Sequence, residues 1–167
     1  FLLSFKLSAQ EIDINRLKKH IYFLADDKMK GRATGSKELA KSAKYIEKEF
    51  KKYKLRPLGT KGYRQAFEAK VRRVIVPDSI RQAENIIGFL DNEAPYTIVV
   101  GAHYDHLGHG DFGGTRDTSH IGHIHNGADD NASGVAGLLE LARYYSTNKV
   151  KEKFNILFIA FSAEELG

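Results

Sequence analysis

Residues 97–106, Thr97-Ile98-Val99-Val100-Gly101-Ala102-His103-Tyr104-Asp105-His106, decide the fold: a short, unbroken apolar run passes directly into ionisable side chains. A run of this length and β-branched content reads as a strand buried on both faces. Residues 154–161, Phe154-Asn155-Ile156-Leu157-Phe158-Ile159-Ala160-Phe161, read the same way and end in Ser162-Ala163-Glu164-Glu165-Leu166-Gly167. Between the two runs, Val135, Leu138, Leu139, Ala142 and Tyr145 recur at helical spacing. Strand, helix and strand in that order make a βαβ unit, so the sheet is at least partly parallel and carries helices on its faces.

Residues 65–76 and 85–90 read as further strands, and Asp91-Asn92-Glu93-Ala94-Pro95 as a turn. Ile14, Leu17, Ile21 and Leu24 mark an amphipathic helix over residues 12–26; if residues 1–9 are an apolar lead-in to it rather than a leader, Ser8 and Glu11 form a capping box at its start. After a polar stretch holding Gly31 and Gly35, Leu39, Ala43, Ile46, Phe50 and Tyr53 form one face of a second helix whose other face is lysine-rich. The expected architecture is a three-layer α/β/α sandwich with a mixed central sheet.

Composition narrows the function. The chain has 167 residues, 42% of them hydrophobic and 28% charged, which is the profile of one globular domain. It has no cysteine, which excludes a disulfide scaffold, a thiolate zinc site and cysteine catalysis. The net charge of +5 comes from basic residues spread along the helices rather than blocked together, so no nucleic-acid partner is expected. No apolar run approaches the ~20 residues that span a bilayer. Residues 1–9, Phe1-Leu2-Leu3-Ser4-Phe5-Lys6-Leu7-Ser8-Ala9, read as the remnant of a secretory signal peptide, which implies a periplasmic or secreted protein. Residues 10–167 are then the domain.

In open α/β sheets ligands sit outside the carboxyl ends of the strands. Three segments bring His and carboxylate groups to that edge: His103 with Asp105, the run Asn126-Gly127-Ala128-Asp129-Asp130-Asn131-Ala132-Ser133-Gly134 ahead of the third helix, and Glu164 with Glu165. Imidazole and carboxylate suit zinc. His103 and Asp105, two apart on an extended strand, share a side, so Asp105 can accept the second imidazole N–H. Adjacent Glu164 and Glu165 can divide roles, one binding metal while the other handles a proton. Asp129, Asp130 and Asn131 also suit a helix N-cap, although that explains only one of the three segments. His106, His109, His120, His123 and His125 crowd a glycine-rich rim loop, with His125 as a residue lining the substrate cleft and metal capture by the others as an alternative; His20 reads as a packing residue, and Tyr104 and Phe112 as packing or rim residues.

These three motifs, in this order, resemble the aminopeptidase Y and bacterial leucyl aminopeptidase family of co-catalytic zinc exopeptidases, and Lys30-Gly31-Arg32-Ala33-Thr34-Gly35-Ser36 resembles its N-terminal part. The resemblance implies that His103 binds one zinc, Asp129 bridges both, Glu165 binds the other and Glu164 is the general base, with Asp105 and Asp130 supporting the ligands. It implies a cis peptide between Asp129 and Asp130, peptide substrates, and a further Asp and a further His ligand beyond Gly167. The chain is therefore expected to be the N-terminal portion of a catalytic domain, truncated on its C-terminal side, with an uncovered sheet edge open to self-association. Two other readings stay open: a glutaminyl cyclase-like acyltransferase with a single zinc, and a non-catalytic interaction domain of the same fold.

Overall fold

The computed structural model describes residues 12–72, 79–111, 115 and 118–166. Helix α1 (Ile14–Leu24) starts at Asp13, whose carboxylate accepts the Asn15 N–H at 2.9 Å. The residues read as a signal remnant and the Ser8–Glu11 capping box lie outside the described residues, as does Phe112. Helix α2 (Lys37–Lys52) is capped by Ser36, which accepts the Leu39 N–H at 3.0 Å. A hydroxyl or carboxylate at this position satisfies a backbone donor that the helix leaves unpaired. Helix α3 (Gly134–Thr147) buries Val135, Leu138, Leu139 and Ala142.

Among the described residues, five strands form one sheet: β1 (Arg56–Pro57), β2 (Arg64–Lys70), β3 (Ile80–Leu90), β4 (Thr97–His103) and β5 (Asn155–Phe161). The order is β1-β3-β5-β4, with β2 also on β3. Strands β4 and β5 are parallel and joined through α3, while β1, β2 and β5 all run antiparallel to β3, so the sheet is mixed as expected. Strand β3 begins at Ile80, earlier than the apolar pattern from Asn85 suggests, because its first half pairs with the polar strand β2. The far end of the expected 65–76 strand, residues 73–76, falls outside the described residues.

The register puts Ile86, Gly88, Ala102, Ile156, Phe158 and Ala160 on one face, where α2 and α3 pack, with α1 laid against α3. Gly88 makes room for that packing: a Cβ would lie 2.9 Å from the side chains of Leu55 and Phe50. Phe50 and Phe158, both fully buried, meet with ring centroids 6.4 Å apart. Phe50→Ala is expected to cost about 3–5 kcal/mol of unfolding free energy, measured by denaturant titration. His20 is buried as a packing residue, with Nδ1 2.6 Å from the Tyr45 hydroxyl.

Residues 97–102 depart from the expectation of burial on both faces. Ile98 and Val99 are 45% and 57% exposed, and among the described residues β4 is an edge strand paired only with β5. An apolar run reports strand propensity, whereas burial depends on which neighbours arrive from elsewhere in the chain. No described helix is long and apolar enough to cross a membrane.

Glu140 ties α1 to α3. Its carboxylate accepts from Arg16 at 2.9 and 3.1 Å and from Arg143 at 2.9 and 3.1 Å. Burial alone would raise this carboxyl, but the two guanidinium groups outweigh it and hold the pKa at about 2, against an ordinary 4.5. A folded pKa below the unfolded one stabilises above the unfolded value and loses that contribution as pH falls through the folded one. Glu140→Gln should therefore destabilise the fold by on the order of 2 kcal/mol at pH 7, with Arg16 partly solvated. The gap to wild type should close between the ordinary carboxylate pKa and about 2, read from unfolding free energies across that window.

Candidate metal centre

Parallel pairing brings the carboxyl ends of β4 and β5 side by side, with His103 opposite Phe161. Past β5 the chain turns at Ala163, which has φ 64, and presents Glu164 and Glu165 in a single helical turn. Asp105, with no solvent exposure, holds that turn: its carboxylate accepts the Glu164 N–H at 3.3 Å, the Glu165 N–H at 3.2 Å and the Thr34 hydroxyl at 3.1 Å. Burial pushes the Asp105 carboxyl upward, and these donors oppose it. Strand alternation places Asp105 on the His103 side, where its carboxylate is expected to orient the imidazole. Instead the His103 Nδ1 hydrogen bond, 3.2 Å, is to the Asp105 main-chain carbonyl, and the carboxylate lies 3.8 Å away. Its oxygens are taken up by the glutamate turn.

The loop before α3 supplies the third segment. Gly127 adopts left-handed φ 59, and a Cβ there would fall 2.5 Å from the Asp130 carbonyl and the His106 ring, so only glycine permits the approach. Ala132, fully buried, donates its N–H to Gly127 at 3.1 Å and closes the turn. As a result Asp130 Oδ1 stands 3.0 Å from His103 Nε2. Glu164 Oε2 lies 3.9 Å from the same nitrogen, and His106 Nδ1 is 2.7 Å from Glu165 Oε1.

Two groups of metal-capable atoms result among the described residues, each within 4.8 Å: His103, Glu164 and Glu165; and His106, Asp130 and Glu165. Glu165 belongs to both. Asp129, which the resemblance makes the bridging ligand, is in neither; its carbonyl accepts the Ser133 hydroxyl at 2.6 Å. Asp130, expected to stand outside the ligand set, belongs to one of the groups instead. The cis peptide is likewise between Asp130 and Asn131, one bond later than expected. The exchange of aspartates has a local cause: adjacent residues of an irregular turn point in different directions, and the turn's path depends on Gly127 and Ala132.

His106, expected in the rim loop with metal capture only as the alternative, stands in one of these groups. Its spacing was the available signal, since it directly follows Asp105 at the end of β4. His125, read as a cleft residue, is outside both groups, its Nε2 buried close to Gly110. His109, His120 and His123 are also outside them. Tyr104 is a packing residue, fully enclosed and donating its hydroxyl to the Glu84 carbonyl at 2.6 Å. The donor chemistry fits zinc: carboxylates from Asp130, Glu164 and Glu165 crowd two imidazoles, and such like charges are relieved by a dication.

Residues 85–167 match Peptidase family M28. Solved structures with the same fold include the glutaminyl cyclase of Fimbriiglobus ruber, 22% identical with TM-score 0.76, covering 95% of this chain and 48% of that one. A leucine aminopeptidase precursor from Bacteroides thetaiotaomicron VPI-5482 is 23% identical with TM-score 0.68, covering 93% of this chain and 48% of that one. A Zn-dependent exopeptidase from Parabacteroides distasonis ATCC 8503 is 22% identical with TM-score 0.68, at 95% and 49% coverage. The chain spans about half the length of these structures. The M28 match contains all three motif segments.

Proposed function

We propose that this chain carries part of the active site of a zinc-dependent aminopeptidase that removes N-terminal residues from peptides. The observation that carries the reading is the convergence of His103, His106, Asp130, Glu164 and Glu165 at the carboxyl ends of two parallel strands. Bound zinc would supply Lewis-acid polarisation of the scissile carbonyl and a lowered pKa for the attacking water. His103, Asp130 and Glu165 would hold the metal, with His106 next to Glu165. Glu164, its side chain 59% exposed at the rim, would take the water's proton on Oε2 and return it to the leaving amine. Export to the periplasm or medium belongs to this proposal and rests on residues 1–9.

Solved structures of this fold carry both exopeptidase and glutaminyl cyclase names, so the test must separate the two. The full-length protein is assayed for metal content, for hydrolysis of amino-acid p-nitroanilides and for cyclisation of an N-terminal glutaminyl peptide. Hydrolysis with about two zinc ions per chain is expected. Cyclisation with a single zinc would replace the peptidase by an acyltransferase. Absence of metal and of both activities would leave a non-catalytic binding domain.

A further inference from the structure

Arg32 heads the side chains with no solvent exposure when these are ranked by size. Buried charges ordinarily meet an opposite charge. Arg32 is enclosed by main-chain carbonyls instead: Nε donates to Tyr104 at 2.9 Å, Nη1 to Leu24 at 2.5 Å and to Asn126 at 2.7 Å, and Nη2 to Gly127 at 2.9 Å. Three carboxylates, Asp105, Asp130 and Glu165, are close enough to feel its charge but have other partners: Asp105 holds Thr34 and the glutamate turn, Asp130 meets His103 and Glu165 meets His106. Burial lowers the Arg32 pKa to about 10, so the group stays charged at neutral pH.

The four acceptors lie on segments far apart in sequence. Leu24 ends α1, Tyr104 sits between His103 and Asp105, and Asn126 and Gly127 lead into Asp130. The main chain around Arg32 adds to the connection: its carbonyl accepts the His106 N–H at 3.2 Å, and the Gly31 carbonyl accepts the Gly108 N–H at 3.0 Å. Gly31, at φ +67, has no space for a Cβ, which would fall 2.4 Å from the His125 carbonyl. The Asn126 amide ties the same loop to the Ala25 carbonyl at 2.9 Å and to Asp27 Oδ1 at 2.7 Å.

We propose that Arg32 is a positioning residue of the metal centre: by gripping the carbonyls of Tyr104, Asn126 and Gly127 in one planar fork, it sets the spacing between the segment that carries His103 and the loop that carries Asp130. The role rests on the proposed metal reading, and Arg32 itself touches neither metal nor substrate. A guanidinium suits the task because its donors diverge in fixed directions and its charge strengthens each bond. Lysine keeps the charge but has a single donor nitrogen that cannot span these carbonyls.

The full-length protein and its Arg32→Lys and Asn126→Ala variants are compared for Co²⁺ affinity, for the Co²⁺ absorption spectrum, and for unfolding temperature without metal. Arg32→Lys should bind Co²⁺ about 10–100-fold more weakly, the range for lost outer-sphere support, with an altered spectrum. Asn126→Ala, which removes no buried charge, should weaken binding in the same direction by less, and it decides the matter if Arg32→Lys fails to fold. Folded variants with wild-type Co²⁺ affinity and spectrum, differing only in unfolding temperature, would reduce Arg32 to a scaffold residue. A wild-type protein that takes up no Co²⁺ would instead overturn the metal centre itself, and this role with it.

Discussion

Glu164→Gln in the full-length protein should lower kcat by about 10²–10⁴-fold, the range for loss of a positioned general base, while leaving zinc content unchanged. The amide has nearly the same shape but cannot take a proton. Its main chain stays anchored, because the Glu164 N–H is held by Asp105 whatever the side chain. The neighbouring Glu165→Gln should behave differently and lose metal, since Glu165 belongs to both donor groups and its side chain is 12% exposed, against 59% for Glu164. Steady-state kinetics with metal analysis on the same samples measures both effects. A Glu164→Gln enzyme with full turnover would show that another group moves the proton.

The second large effect separates two adjacent aspartates. Asp130→Asn should weaken zinc binding by more than the ~10–100-fold that follows loss of an outer-sphere partner, because it removes an anionic donor 3.0 Å from His103 Nε2. Asp129→Asn should bind zinc within a few-fold of wild type, since the structural contact at that position comes from the main-chain carbonyl, which the substitution keeps. Competition titration against a chelator reads both. The opposite ranking would return the bridging position to Asp129, as family resemblance implies.

Some of this site was readable from one dimension. His103, Asp105, Glu164 and Glu165 stand at the ends of apolar strand runs, and Asp130 in a polar stretch ahead of a helix, so their convergence followed from strand order and the βαβ crossover. The division of work within the site did not follow. Asp105 seemed positioned for the His103 ring but clamps the glutamate turn, because Thr34 and the N–H groups of Glu164 and Glu165 reach its oxygens first. His106 looked like one of several rim histidines until Glu165 came within 2.7 Å.

The apolar runs at 97–102 and 154–161 and the helical spacings before and between them gave the element order and the mixed α/β class, and residues 103–106, 126–134 and 162–167 the metal-binding chemistry, since periodicity and side-chain type are local properties of a chain. Tertiary structure decided which aspartate faces His103, that β4 has an exposed edge among the described residues, and that Arg32 bonds the carbonyls of both Tyr104 and Gly127. Those outcomes depend on distances between segments as many as 95 residues apart, and no local pattern encodes such distances.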